Sequence, residues 1–323
     1  MRFTRNVLEI DPAAEAERII QSLRQKVQKL LRRHGGVVGI SGGVDSAVVL
    51  ALCMRAFGTG KVVPVIMPDK DSDPLSERLA RQLARQFGVE PVLENVTAAL
   101  EGFGCYRRRD EAIRQVFPEY DAARGYRAKI VLPQNLLQES TLNAFSLTIV
   151  APDGKERNAP LPAREFLQIV AASNLKQRAR MATLYYHAEL RNFAVIGTAN
   201  KNEHDQGFFV KYGDAGVDIK AIGHLYKTQV YQLAAYLDIP KAIRDRPPTS
   251  DTYSAACTQQ EFFFRLPFDL MDLLWYAQEH NIPPAEVAQV MELEEVQVQR
   301  AYEDFFRKSR TTDYLRMHPL EIN

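Results

Sequence analysis

The stretch "VVGISGGVDSAVVLAL", residues 37–52, decides the fold. Val37, Val38 and Ile40 read as a short buried strand, and the run from Ala47 to Met54 reads as an apolar helix. Between them stand Ser41, Gly42, Gly43, Val44, Asp45 and Ser46. A strand that becomes a helix through such a turn presents free backbone N–H groups at a positive helix end, which is a place for an anion. Asp45 is the informative residue, because a carboxylate repels the phosphate such a turn would cradle. An acid there makes chemical sense if it holds a divalent cation that bridges phosphate oxygens; otherwise it merely caps the helix. The pattern G-x-x-x-x-G-K-[ST] is absent, which excludes a kinase-style γ-phosphate loop.

Outward from this turn the chain alternates buried strands with helices. Residues 61–69, 90–96 and 192–200 read as further strands. A helix is predicted from Asp11, a good N-cap followed by Pro12, to Gly35, and another with Leu75, Leu79, Leu83 and Phe87 on one face. The expected fold class is α/β, a doubly wound, mostly parallel sheet flanked by helices. Such sheets bind ligands at the carboxyl ends of their strands, and the Ser41–Ser46 turn and Thr198 stand at two of these ends. The chain is read as one domain, 1–323, with an insertion at 105–172 and a helical C-terminal part at 256–323. Within the insertion, Pro152, Asp153 and Gly154 suggest a β-hairpin.

Composition narrows the class. With 46% hydrophobic and 25% charged residues in 323, a sizeable core is available. The formal net charge of +1 gives no support for a polyanion-binding surface. Cys53, Cys105 and Cys257 are far apart, which speaks against a disulfide framework or zinc ribbon and fits a reducing compartment. No secretory h-region and no long apolar run is present, so a cytoplasmic protein without membrane contact is expected. Two C-terminal helices hinged at Leu293 could be mistaken for a DNA-reading pair. The second opens with Glu294 and Glu295, which repel phosphates, and its Val298, Tyr302, Phe305 and Phe306 form a core-like stripe.

The Ser-Gly-Gly-x-Asp-Ser turn after a buried strand resembles the loop of the N-type ATP pyrophosphatases. That resemblance implies cleavage of ATP between its α- and β-phosphates, adenylation of a carbonyl or carboxyl oxygen, and displacement of AMP by a nitrogen or sulfur nucleophile. The stretch "GTANKNEHDQGFFVKYGDAGVDIKAIGHLYKTQVYQLAAYL", residues 197–237, resembles the NAD⁺ synthetases, and among them the ammonia-dependent type. "NLKQRARM", residues 174–181, is similar to their Asn-x-Gln-Ala-Arg-x-Arg-Met segment, and "RPPTSD", residues 246–251, to a segment that contacts ATP.

The resemblance implies ATP-binding roles for Gly39, Ser41, Gly42, Gly43, Asp45, Ser46, Thr198, Lys227 and Thr249, and Mg²⁺ held by Asp45 and Glu203. It implies substrate-binding roles for Arg178, Lys211 and Asp218, with Phe208 or Phe209 against the pyridine ring. Asp214 is the implied acid–base catalyst. Independently, Lys227 opens a helix, where its charge opposes the helix dipole, so a phosphate ligand explains it better than a solvated lysine does. The implied co-substrate is ATP with Mg²⁺. The implied partners are deamido-NAD⁺, ammonia, a second copy of the chain and an ammonia-donating glutaminase in trans, with no nucleic acid.

The chain departs from the family near its end. The family carries [ST]-x-[HY]-Lys-Arg there, whereas this chain has "TTDYLRMHPL", with Leu315 at the lysine position and Arg316 beside it. A related ligase amidating another carboxylate is therefore the alternative reading.

Overall fold

The computed structural model describes residues 2–132, 136–138, 145–249 and 252–322. The parts of the 105–172 segment at 133–135 and 139–144, and Ser250 and Asp251 of the "RPPTSD" segment, lie outside the described residues. In chain order the first elements are α1 (Pro12–Arg24), β1 (Gly36–Gly39), α2 (Val44–Phe57), β2 (Val62–Ile66), α3 (Pro74–Gln86), β3 (Val92–Leu93) and α4 (Thr97–Gly102). Next come α5 (Cys105–Val116), β4 (Arg127–Val131), β5 (Ser146–Val150), β6 (Glu156–Pro160) and α6 (Ala163–Arg191). They are followed by β7 (Ala194–Gly197), α7 (Lys201–Gln206), β8 (Ile219–Lys220), α8 (Lys227–Tyr236) and α9 (Lys241–Arg244). The chain closes with α10 (Phe268–Glu279), α11 (Pro284–Met291), α12 (Glu295–Thr311) and α13 (Asp313–Arg316).

The main sheet runs β3-β2-β1-β7-β8 with every neighbouring pair parallel. The chain leaves β1 toward β2 and β3 on one side and returns on the other at β7. The strand order therefore switches between β1 and β7, and a crevice opens there beyond their carboxyl ends. Side chains alternate across the sheet. Val38, Ile40 and Ile196 pack into a core with residues of α1, α2 and α8, while Val37, Val65 and Val195 meet Leu184 and Ala188 of α6 on the opposite face. Every residue from Ala47 to Cys53 is 0% exposed, as befits a helix apolar all round.

Asp11 caps α1 as expected, its Oδ1 accepting from the N–H groups of Ala13 (3.0 Å) and Ala14 (3.1 Å). The helix does not run on to Gly35. It loosens into a π-helical turn over Gln25–Leu30, and Arg32 then takes φ +55°.

In the 105–172 segment, β4, β5 and β6 form an antiparallel sheet, and the β5–β6 connection carries Pro152, Asp153 and Gly154. Gly154 has φ +84°, which suits the turn. This sheet is tied to the loop before α10: the Ala255 N–H donates to Ala128 O (3.1 Å) and the Leu132 N–H to Glu261 O (3.0 Å).

Helices α10, α11 and α12 share a core containing Phe264, Leu274, Val287, Val298 and Phe305. Phe306 does not join it and is 59% exposed. Eight residues at about 100° each leave it roughly 80° round the helix from Val298, beyond the buried arc.

Candidate active site

The turn after β1 is shaped by one glycine and two serines. Gly42 has φ +73°, and a Cβ there would lie 2.5 Å from Ser76 O, so only glycine fits. Ser46 Oγ donates to Gly43 O (3.0 Å) and accepts from the Ser41 N–H (3.3 Å), closing the turn. Gly43 supplies no side-chain cap, which leaves the N-terminal amides of α2 directed at the crevice.

Asp45 does not cap α2. Its Oδ1 accepts from Asn200 Nδ2 (3.0 Å), and its Oδ2 pairs with Lys227 Nζ. Asn200 also forms a capping box with Glu203 at the start of α7: the Glu203 N–H donates to Asn200 Oδ1 (3.1 Å) and the Asn200 N–H to Glu203 Oε2 (3.1 Å). Asn200 thus links the two acids across the switch point, its carboxamide donating to Asp45 and its backbone N–H to Glu203. Gln259 Nε2 donates to the other Glu203 oxygen (3.0 Å). Burial, then repulsion from Asp45, pushes the Glu203 carboxyl up.

Lys227 is 0% exposed, which removes the solvated reading. Burial opposes its charge, but Asp45 and Glu203 together hold its pKa above the ordinary lysine value. Its position is fixed from beneath, where its backbone N–H donates to Asn202 Oδ1 (3.1 Å). Asn202 in turn donates to Asp272 of α10, which also accepts from the Thr228 N–H (2.7 Å). Asp272 is pushed up to about 6, chiefly by burial. Its sequence signal is an acid flanked by Met271 and Leu273 in the apolar helix "FDLMDLLWYA", one turn beyond Asp269, and the sequence reading missed it.

Asp45, Glu203, Lys227 and Gln259 line one cleft of about 1180 Å³, which also takes in Gly39, Thr198, Arg178, Lys211, Asp214 and Thr249. Asp214 lines the cavity and is exposed to it, but protein packed round its carboxyl pushes it up to about 6 while its Oδ1 accepts from the Val210 N–H (2.7 Å). Arg178 Nη2 approaches Lys211 O (3.4 Å), and Lys211 Nζ donates to Tyr314 O (2.9 Å), which holds the C-terminal segment against the cleft.

Two of the expected site residues, Asp218 and Gly42, lie outside the cleft lining, whereas Phe208 and Phe209 both line it. Asp218 accepts from Tyr185 Oη (3.1 Å) and the Val195 N–H (2.8 Å), so it fastens the turn before β8 to β7 and α6. Within the cleft wall Phe208 packs on Phe262 and Phe263, while Phe209 stacks on His204 with 5.6 Å between ring centroids. Gly42 likewise shapes the turn without lining the cavity.

At the departure near the C-terminus, Leu315 does line the cleft. Arg316 turns away to His204 O and Asp205 O (3.1 Å each). Arg307 and Lys308 of α12 reach the cleft instead, Lys308 pairing with Asp304 at 2.7 Å.

A buried ion network at the end of β2 was also missed. Lys176, where the family segment has glutamine, meets Asp69 (3.1 Å) and Asp71 (2.7 Å). Arg180 meets Asp69 (2.8 Å), and Arg109 of α5 joins from the 105–172 segment through Asp71 and Asp110. Burial would raise the Asp71 carboxyl, but Lys176 and Arg109 together hold it below its ordinary value.

The fold and cleft define a nucleotide-binding α/β protein with an anion cradle and paired acids at its switch point. The NAD synthase family model matches residues 15–125 and 135–314. The NH(3)-dependent NAD(+) synthetase of Mesorhizobium japonicum is 49% identical over 97% of this chain and 98% of its own length. That of Rhizobium meliloti is 47% identical over 98% and 94%. An NH3-dependent NAD synthetase from Campylobacter jejuni shares the fold, with TM-score 0.62 at 21% identity over 97% of this chain and 100% of that one. The chain belongs to the NAD synthase family. Residues 126–134, which fall between the two matched stretches, contain β4.

Proposed function

We propose that the chain is an ammonia-dependent ligase that converts the nicotinate carboxylate of deamido-NAD⁺ to the carboxamide of NAD⁺, with ATP cleaved to AMP and pyrophosphate. The observation that carries this reading is the Asn200 link between Asp45 and Glu203, with Lys227 buried against them. A carboxylate oxygen attacks the α-phosphorus and forms the acyl–O–P bond as the bond to pyrophosphate breaks. Ammonia then attacks the acyl carbon, the C–O bond breaks and AMP leaves. The α2 amides, the Ser41–Ser46 turn and Lys227 hold the departing pyrophosphate, with Thr198 and Thr249 at the walls.

Mg²⁺ fits the donor set. Asp45 and Glu203 are hard oxygen ligands whose mutual repulsion calls for positive charge. From this chain Asp45, beyond the end of β1, and Glu203, beyond the end of β7, would hold the cation. When bound, it neutralises charge on the polyphosphate.

Arg178 and Lys211, which line the cleft, would hold the substrate's phosphates, and Asp214 beside them would take the proton that ammonia loses. Asp218 is assigned a positioning role. Tyr186 and Leu190 of α6 are 60% and 63% exposed, which supports a homodimer through this helix. Ammonia is taken free or from a glutaminase in trans, and a cytoplasmic setting fits the three buried, unpaired cysteines. Among the described residues no helix is long and apolar enough to cross a membrane.

Amidation of a different carboxylate has only Leu315 at the family's lysine position in its favour, and relatives 49% and 47% identical are NH(3)-dependent NAD(+) synthetases. The test is incubation with ATP, Mg²⁺, ammonium and deamido-NAD⁺. Stoichiometric NAD⁺, AMP and pyrophosphate support the reading, and ATP–pyrophosphate exchange driven by another acid alone refutes it.

A further inference from the structure

The connection from β2 to α3, residues 67–73, forms one wall of the cleft, where Met67, Asp69, Ser72 and Asp73 line it. It belongs to no helix or strand, so side chains largely set its shape. Two cations of α6 grip it. Arg180 Nε donates to Met67 O (3.0 Å) and its Nη2 to Asp69 (2.8 Å), while Lys176 spans Asp69 and Asp71. Asp69 also folds the connection on itself by accepting from the Asp71 N–H (2.9 Å).

The third grip comes from the 105–172 segment. Arg109 of α5 pairs with Asp71 through Nη1 and with Asp110 through Nε (2.9 Å). Lys70 lies over the ring of Tyr106 on the same helix, 3.8 Å from its centroid. Three cations thus meet three acids, and the side chains of Lys176, Asp69 and Arg109 are at most 3% exposed. A glutamine at 176, as in the family segment, would leave three acids facing two arginines. Buried ion sets add little net stability over apolar side chains of the same volume; what they can supply is one geometry.

This wall is on ATP's side of the cleft. A Cβ on Gly42 of the phosphate turn would lie 2.5 Å from Ser76 O, in the first turn of α3. Arg246, which opens the "RPPTSD" stretch, donates to Ser76 Oγ (3.0 Å) and to Asp73 (3.3 Å). Lys211 stands across β1 from the connection, beyond β7.

We propose that Arg109 is a positioning residue for ATP: through Asp71 and Lys176 it locks the 67–73 connection as a preformed wall, so that the 105–172 segment sets ATP affinity. The proposal rests on the amidation reading above, which places ATP at the phosphate turn. A wall already in its binding shape costs no ordering when the nucleotide arrives. A connection that holds that shape about a tenth of the time weakens binding about tenfold.

Calorimetric titration of the full chain with Mg²⁺–ATP and, separately, with deamido-NAD⁺ tests this. Arg109→Met should raise the Kd for Mg²⁺–ATP about tenfold and leave that for deamido-NAD⁺ within about twofold. In turnover, KM for ATP should rise by the same factor with kcat nearly unchanged. Arg109→Lys, which keeps a charge for Asp71 but loses the fork, should recover part of the affinity. Because Arg109→Met leaves buried acids unmatched, Arg109→Met combined with Asp71→Asn is the folding control. Its melting temperature should return toward wild type while ATP binding stays weak. Equal weakening of both ligands, unchanged ATP binding, or ATP affinity that recovers together with the melting temperature overturns the brace. A wild-type enzyme that binds neither ligand overturns both this and the functional reading. One that makes NAD⁺ while Arg109→Met binds ATP normally overturns the brace alone.

Discussion

The Lys227 ammonium rests on the Asp45 carboxylate, with the lysine side chain 0% and the aspartate 17% exposed. A buried lysine bound this way neutralises the acid on which the proposed cation depends, so it has two jobs. It balances Asp45 in the folded protein, and in the proposed reaction it would supply charge to the polyphosphate. Both follow from its place at the first residue of α8, pinned by Asn202.

Lys227→Met should therefore lower pyrophosphate exchange by about 10²–10³ and lower stability by about 3 kcal/mol. It should also make Mg²⁺ alone a stronger stabiliser than it is for the wild type, because Asp45 loses its internal counter-charge. Denaturation with and without Mg²⁺, beside an exchange assay, reads all three effects. Wild-type Mg²⁺ response in the variant would break the link between lysine and cation.

Glu203→Gln should separate stability from function. The amide retains an acceptor for the Asn200 N–H and removes repulsion with Asp45. Melting in buffer should rise, by about 1 kcal/mol, because a buried charge near a like charge is gone. Exchange should fall at least about 100-fold, as expected when transition-state charge stabilisation is lost. A variant both less stable and fully active contradicts the assignment.

Asp214 provides the pH test. Burial raises its folded pKa from 3.8 to about 6, so the folded state binds that proton more tightly than the unfolded chain does. Its contribution to stability accordingly falls as pH rises from about 4 through 6, and Asp214→Asn should flatten that slope. As a base it works only when ionised, so the wild-type amination rate, corrected to free NH₃, should fall below about pH 6. The variant should lose that acid limb and aminate about 10²–10⁴-fold more slowly, with pyrophosphate exchange intact. Equal loss of exchange and amination would make Asp214 structural.

Much of this was legible because it is local. A strand, Gly42 at a positive φ and an apolar helix are contiguous in the chain, and the alternation of Val37 and Val38 across the sheet follows from strand geometry alone. What the chain order hides is pairing across distance. Asp272 holds α8 from 44 residues away, and Gln259 reaches Glu203 from 56. Asp218 shows the converse: its family spacing is intact, yet Tyr185 and the Val195 N–H engage its carboxylate outside the cleft. Two-residue β8 and the π-helical end of α1 carry too little periodicity to be read at all.

The most direct test of carboxylate activation follows the oxygen. Deamido-NAD⁺ labelled with ¹⁸O in the nicotinate carboxylate is turned over with ATP, Mg²⁺ and ammonia, and the AMP is weighed by mass spectrometry. If the carboxylate attacks the α-phosphorus, each AMP carries away a single labelled oxygen as the amide forms. AMP that emerges unlabelled, or label that appears in inorganic phosphate beside ADP, contradicts adenylation in this cleft.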